Sequence, residues 1–215
     1  TPGIAVEAVK NECAYMGFLA IHLLDSVQEV FFNDKKDLIP KIEETEAKID
    51  QLHKAVKAYA EDIMQAGISD DAARVLTLYV ASSGNIERIG DYGKKLLEYY
   101  AYRQNRPKDF SQQAMTELSG MYAEAHHAIV TALDGFINDD PDKAREVAPI
   151  AGKLRGLEVE LRNRHIQRLD KQECDSETGL VYVDILGIIE HIGYHSNNVA
   201  KATISSCTAE SKAKA

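Results

Sequence analysis

Glu87 and Asp91 stand four residues apart in NIERIGDYGKKL (85–96), and a second such pair, Glu46 and Asp50, lies upstream in ETEAKID (44–50). On a helix this spacing puts two carboxylates on one face, one turn apart, where like charges repel by a few tenths of a kcal/mol. Gly84, Gly90 and Gly93 surround the first pair, and each glycine costs roughly 0.8–1.0 kcal/mol against alanine inside a helix. A stretch that gives up helix stability so often marks a ligand site or a very close packing contact. If the two helices are neighbours, four carboxylates converge, and such a cluster takes up either protons or a cation. Oxygen donors of this kind suit iron, manganese, magnesium and calcium better than soft metals. The plain alternative is a solvated acidic helix face.

The elements that must position these groups are helical almost throughout. Hydrophobic spacing and chain breakers predict six helices, at 4–32, 37–66, 69–103, 108–138, 142–172 and 175–207. Ser69, Asp109, Asp140 and Asp175 fit as N-caps, and Pro107 and Pro141 favour breaks. The longest strand-like stretch, GLVYVDIL (179–186), also fits a helical stripe. At 1.5 Å per residue such helices run roughly 40–50 Å, which is bundle geometry. The chain also repeats itself: FFND (31–34) returns as FIND (136–139), and IERIG (86–90) as IEHIG (189–193). The seam Val75, Tyr79, Ser82, Ile86, Ile89, Gly93, Leu96, Tyr100 returns 103 residues on as Thr178, Tyr182, Ile185, Ile189, Ile192, Ser196, Val199, Thr203. This is the spacing of packed helices. The predicted fold is all-α, two tandem three-helix bundles, with repeats at 1–104 and 105–215.

Composition narrows the partners. The 34 acidic against 25 basic residues, a net charge of −9, speak against nucleic-acid or anionic-lipid surfaces, which need clustered Lys and Arg. Cys13, Cys174 and Cys207 are odd in number and lack a CxxC spacing, as in a reducing compartment. No window has the roughly 18–20 apolar residues of a membrane span. No nucleophile-with-base arrangement, P-loop or GxGxxG occurs, so no reaction is implied. A rival from another class is a di-metal carboxylate oxidoreductase. Glu124 and His127 have its Glu-x-x-His spacing, but the second such motif that a di-iron bundle needs is missing. His22, His53 and His165 occur singly and read as surface or core residues.

NIERIGDYGKKL and IIEHIGYHSNNVA resemble the third-helix signature of the PhoU family of phosphate-uptake regulators, approximately E-R-I-G-D-H-x-x-N-I-A. Glu87, Arg88, Ile89, Gly90 and Asp91 match it in the first copy; Glu190, Ile192, Gly193, His195, Asn198 and Ala200 match it in the second. The resemblance implies two three-helix repeats that bind metal ions, often as clusters, through E/D-x-x-x-D pairs on the second and third helices. By it Glu46, Asp50, Glu87 and Asp91 become one site. In the second repeat Tyr194 replaces Asp91 and Leu154 replaces Glu46, leaving Glu158 and Glu190, with His195 to help, as a weaker site or none. Iron, zinc, nickel, manganese or magnesium are the expected ions. The opening TPGIAVEAVKNECAYMG resembles the start of the PhoU-like cytoplasmic tail of sodium/phosphate cotransporters. The expected function is therefore metal-dependent control of phosphate uptake, as a cytoplasmic tail held at the inner membrane by a transporter domain. The alternative is a free-standing PhoU-type regulator. Expected partners are the transporter's membrane domain or transport and signalling proteins, with a homodimer compatible with either.

Overall fold

The structure, a computed structural model, describes residues 2–105, 109–171 and 176–213. Those residues form helices α1 (Pro2–Asn33), α2 (Ile39–Gln65), α3 (Asp70–Gln104), α4 (Gln112–Ile137), α5 (Pro141–Arg145), α6 (Val147–Asp170) and α7 (Ser176–Ala213), with one 3-10 turn at Lys36–Leu38. The fold is all-α, and the stretch at 179–186 lies wholly inside α7. Six of the helices are long, as the periodicity predicts. The segment expected as one helix at 142–172 instead breaks between α5 and α6. Pro149 explains the break. It has no N–H to give the carbonyl four residues earlier, that of Arg145, and its ring clashes with it.

Ser69 caps α3 as expected, accepting from Ala72 N, and Asp140 caps α5 through Asp142 N and Lys143 N. Asp109 does not cap α4; Ser111 does, accepting from Ala114 N. Asp109 is held instead by Arg103, whose Nε and Nη2 reach its two oxygens at 2.7 Å each. Pro107, Asp175 and Cys174 lie outside the described residues. The FFND and FIND repeats are matched helix stops. Asp34 and Asp139 adopt left-handed backbone conformations, with φ of 59° and 48°. The next residues bond back across the last turn, Lys35 N to Glu29 O at 3.2 Å and Asp140 N to Gly135 O at 2.9 Å.

Helices α1, α2 and α3 form one bundle; α4, α6 and α7 form the other, with α5 against α4 and α7. The two bundles are joined by α3 against α7 and by α1 against α4, which leaves α2 and α6 outermost. Helices α3 and α7 run antiparallel: Tyr92 stacks on His191, Tyr99 Oη donates to Asp184, and Tyr102 Oη to Glu177. Both seams are interior, the first from Val75 to Tyr100 and the second from Tyr182 to Thr203, and a single hydrophobic core runs through both bundles. Gly93 shows why its position carries no side chain. A Cβ there would stand 2.3 Å from Leu23 Cδ2, so glycine lets α1 close onto α3. At the junction after α3, Arg103 is nearly buried, bonds Phe31 O, and lies over the rings of Phe31 and Phe110. The end of the first repeat is thereby pinned to the start of the second.

Candidate metal centre

Helices α2 and α3 pack side by side, and this puts the four predicted carboxylates of the first repeat within electrostatic reach of one another. Glu87 and Asp91 share a hydrogen bond. Burial pushes the Glu87 pKa up, and the charges of Asp91 and Asp50 push it further, with Arg88 opposing. The Asp91 carboxyl is also raised, first by burial, then by Glu46 and more weakly by Asp50, against Arg88. Each pair therefore feels the other across the helix interface. Three cations stand among them: Lys94 Nζ is 2.7 Å from Glu46, Lys54 Nζ 2.7 Å from Asp50, and Arg88 Nη1 3.7 Å from Asp91. All three side chains are substantially exposed and offset the crowding only in part, so the pKa values of Glu87 and Asp91 stay raised. A set of hard oxygen donors short of positive charge fits a hard cation. Among the described residues, no group of three or more His, Cys, Asp or Glu side chains stands close enough together to hold a metal ion. Two of these four carboxylates are held by the lysine amines.

The second repeat is built differently. Leu154, in the place of Glu46, is fully buried, and a Cβ on Gly193 would lie 2.3 Å from its Cδ1. Leucine thus fills the groove that the glycine opens. Tyr194, in the place of Asp91, is exposed and sets its ring edge-on to His191 and His195. Glu158 is buried and paired with Arg162; Glu190 lies 3.9 Å from Arg155 Nε and 3.7 Å from His191 Nδ1.

His195 turns toward the first repeat. Its Nδ1 lies 2.9 Å from Asn85 Oδ1, which also accepts from Asn198 Nδ2 at 3.1 Å, while Asn85 Nδ2 donates to Ala81 O. That network makes Asn85 Oδ1 the acceptor and puts the imidazole proton on Nδ1. Burial, then His191 and Arg88, push the His195 pKa down to about 4, so the ring is neutral. Among the described residues no hydrogen bond or ion pair joins His195 to Glu158 or Glu190. Glu124, of the Glu-x-x-His motif, pairs with Lys153 on α6. Burial raises the Cys13 thiol to about 12, which leaves it inert as a nucleophile.

One polar assembly has no signal in the sequence. Glu117 on α4 accepts from Arg168 Nη1 and Nη2 at 3.1 and 3.0 Å and from Tyr182 Oη at 2.7 Å. His165 packs on the Tyr182 ring, and its buried Nε2 has no hydrogen-bond partner. These partners lie 51 and 65 residues apart in the chain, and no local spacing links them.

An all-helical scaffold of two like bundles, with a carboxylate face between the second and third helices of the first, defines a duplicated three-helix domain. The sequence profile of the PhoU domain matches it twice, at residues 14–100 and 118–203. The chain belongs to the PhoU family. It is 24% identical over 198 residues to the phosphate-specific transport system accessory protein PhoU homolog 1 of Thermotoga maritima, covering 91% of this chain and 84% of that one. The crystal structure of PhoU from Pseudomonas aeruginosa superposes with a TM-score of 0.88 at 18% identity, covering 96% of this chain and 98% of that one. The phosphate transport system regulatory protein PhoU of Streptococcus pneumoniae superposes with a TM-score of 0.84 at 15% identity, covering 96% of each chain. Among the described residues, no helix is long and apolar enough to cross a membrane.

Proposed function

We propose that this chain is a cation-responsive regulator of phosphate transport that works by contact with transport or signalling proteins and catalyses no reaction. The observation that carries the reading is the crowding of Glu46, Asp50, Glu87 and Asp91 on the α2–α3 face, where the pKa values of Glu87 and Asp91 are raised. A cation held there supplies charge neutralisation and a tie between two helices. Glu46 and Asp50 contribute from α2, Glu87 and Asp91 from α3. Lys54 and Lys94 serve as exchangeable counter-charges on Asp50 and Glu46. Their release alters the charge pattern of the face that a partner meets. The donor set favours magnesium, manganese or iron. Glu158, Glu190 and His195 offer a poorer set, because Leu154 occupies the groove beside Gly193.

The names of the relatives support a transport-system partner, since they are an accessory protein and a regulatory protein of phosphate transport. They favour the regulator over the cotransporter tail, which rests on the opening stretch of sequence. The test joins metal content to uptake. Protein purified without chelator should carry metal that is lost in Glu87→Gln with Asp91→Asn. In cells stripped of their own regulator, only the unaltered chain should restore controlled phosphate uptake. Unchanged metal content in the folded double variant would refute the site. Failure of the unaltered chain to affect uptake would refute the role.

A further inference from the structure

We infer that the groove between α1 and α4 docks an amphipathic helix with Lys- and Arg-rich flanks, supplied by another protein. The inference rests on the reading above that the chain works by protein contact, gives that contact a place, and makes no use of the carboxylate cluster. The two helices run antiparallel. Lys10 Nζ reaches Asp139 Oδ2 at 2.5 Å toward one end, and Tyr122 Oη donates to Leu24 O at 2.6 Å toward the other. Gly17 lets them close, since a Cβ there would stand 2.4 Å from Leu133 Cδ1. Outside that crossing lies a groove of about 450 Å³, with Phe18 and Ile21 on one wall and Val130, Leu133 and Ile137 on the other. A cavity of about 150 Å³ admits a benzene ring, so this groove has room for more than one large side chain. Phe18, Val130 and Ile137 are 49%, 39% and 36% exposed. Single apolar residues on a surface are ordinary, but several lining one groove mark a contact.

The charge around the groove selects the partner. Helix α1 carries four carboxylates and α4 three, against a single lysine, Lys10, which is tied to Asp139. Asp134 lines the groove and accepts from Asn138 Nδ2 at 2.8 Å; among the described residues it has no ion pair. Glu7 and Asp25 lie on the Phe18 face of α1, about three turns before it and about two turns after. Lys143, at the rim, is already paired with Glu146 at 2.9 Å. An anionic membrane is repelled by such a rim, and a second copy of this chain would bring the same carboxylates against it. A basic amphipathic helix satisfies both the apolar walls and the acidic rim, with apolar anchors at i, i+3 or i+4, and i+7.

The probe is a labelled synthetic peptide of about 18 residues, with leucine along one helical face and lysine on both flanks. Its twin carries glutamate for every lysine. Fluorescence anisotropy with the full chain should show the lysine peptide bound at least about tenfold more tightly than its twin, by a margin that shrinks as salt rises. Phe18→Ser and Val130→Ser should each weaken that binding about tenfold or more, and Asp134→Asn should weaken it and reduce its salt dependence. Tyr59→Ser, which alters an equally exposed ring on α2, should change nothing. Phe18, Val130 and Asp134 are all exposed, so these changes spare the core, and circular dichroism checks that the helices persist. Equal binding of the two peptides, binding that survives both serine variants, or tighter binding to phosphatidylglycerol vesicles than to the lysine peptide would overturn the proposal. In cells, Phe18→Ser with Val130→Ser should lose the control of phosphate uptake that the unaltered chain restores. A double variant that still controls uptake would overturn the groove and leave the proposed function standing; an unaltered chain without effect on uptake would strike the function, while the peptide titration still decides the groove.

Discussion

Replacing Glu87 by glutamine should stabilise the chain when cations are removed and destabilise it, relative to the unaltered chain, when they are supplied. Glutamine keeps the shape and can still donate to Asp91, so it imitates the protonated Glu87. What it removes is repulsion from Asp91 and Asp50. Two unit charges about 5 Å apart interact by about 0.8 kcal/mol at the dielectric of water, and by several times that in a drier setting. Glu87 is partly solvated and Arg88 offsets some of the repulsion, so the gain belongs near the lower figure, about 0.5–1 kcal/mol. For a chain of this size that raises the melting temperature by roughly 1–4 °C. The sign with pH follows from the raised pKa of Glu87. Repulsion acts while Glu87 is ionised and fades as pH falls through its raised value, because the native carboxyl then takes its own proton. The variant's advantage should therefore be present at neutral pH and gone near pH 4. With a cation at a hundred times its dissociation constant, the unaltered chain gains about 2.7 kcal/mol, and the order reverses. Thermal melts by circular dichroism, in chelator and in Mn2+ or Mg2+, read all of this. A variant less stable than the unaltered chain in chelator, or equal stabilisation of both by cation, would refute the reasoning.

Glu190→Gln should leave the amount of hard cation bound almost unchanged where Glu87→Gln abolishes it, because Leu154 fills the second groove; equal losses in native mass spectra would contradict this. Arg103→Ala should cost about 2–3 kcal/mol in denaturant melts, since it removes a two-pronged bond to Asp109 and two ring contacts from a nearly buried site; a cost under about 0.5 kcal/mol would show the clamp to be idle. Burial and Arg168 push the His165 pKa below its ordinary value, so the unfolded chain takes up its proton first as pH drops. Stability should fall below about pH 6.5, and His165→Leu should lessen that slope while leaving the share carried by His195; a slope unaltered by His165→Leu would refute the part given to His165.

The fold is legible because its information is local and periodic. The seam through Ile86, Ile89 and Gly93 declares a helix, a buried face and a close crossing within a few turns, and the same spacing 103 residues later declares the second copy. The α5–α6 break is carried by Pro149, whose effect falls four residues before it. The first carboxylate set is also local, two pairs on two helices. What sequence spacing cannot carry is the choice among partners brought together by packing. Asp109 has the form of a cap, yet Arg103 captures it and Ser111 takes the role. His195 has the form of a ligand beside Glu190, yet Asn85 on the other repeat holds it. Both outcomes are set by the docking of helices distant in the chain.

The replacement of Glu46 by Leu154 and of Asp91 by Tyr194 in otherwise matching helices has a consequence for how such a protein can diversify. Two identical subunits must carry every substitution twice, so a leucine that seals one groove would seal both. Joining the copies on a single chain lifts that constraint. One half keeps four crowded carboxylates while the other fills the matching groove with leucine and pairs its remaining glutamates with arginines, so a change of charge can act on one side of the body alone, which a symmetric pair would answer on both sides at once.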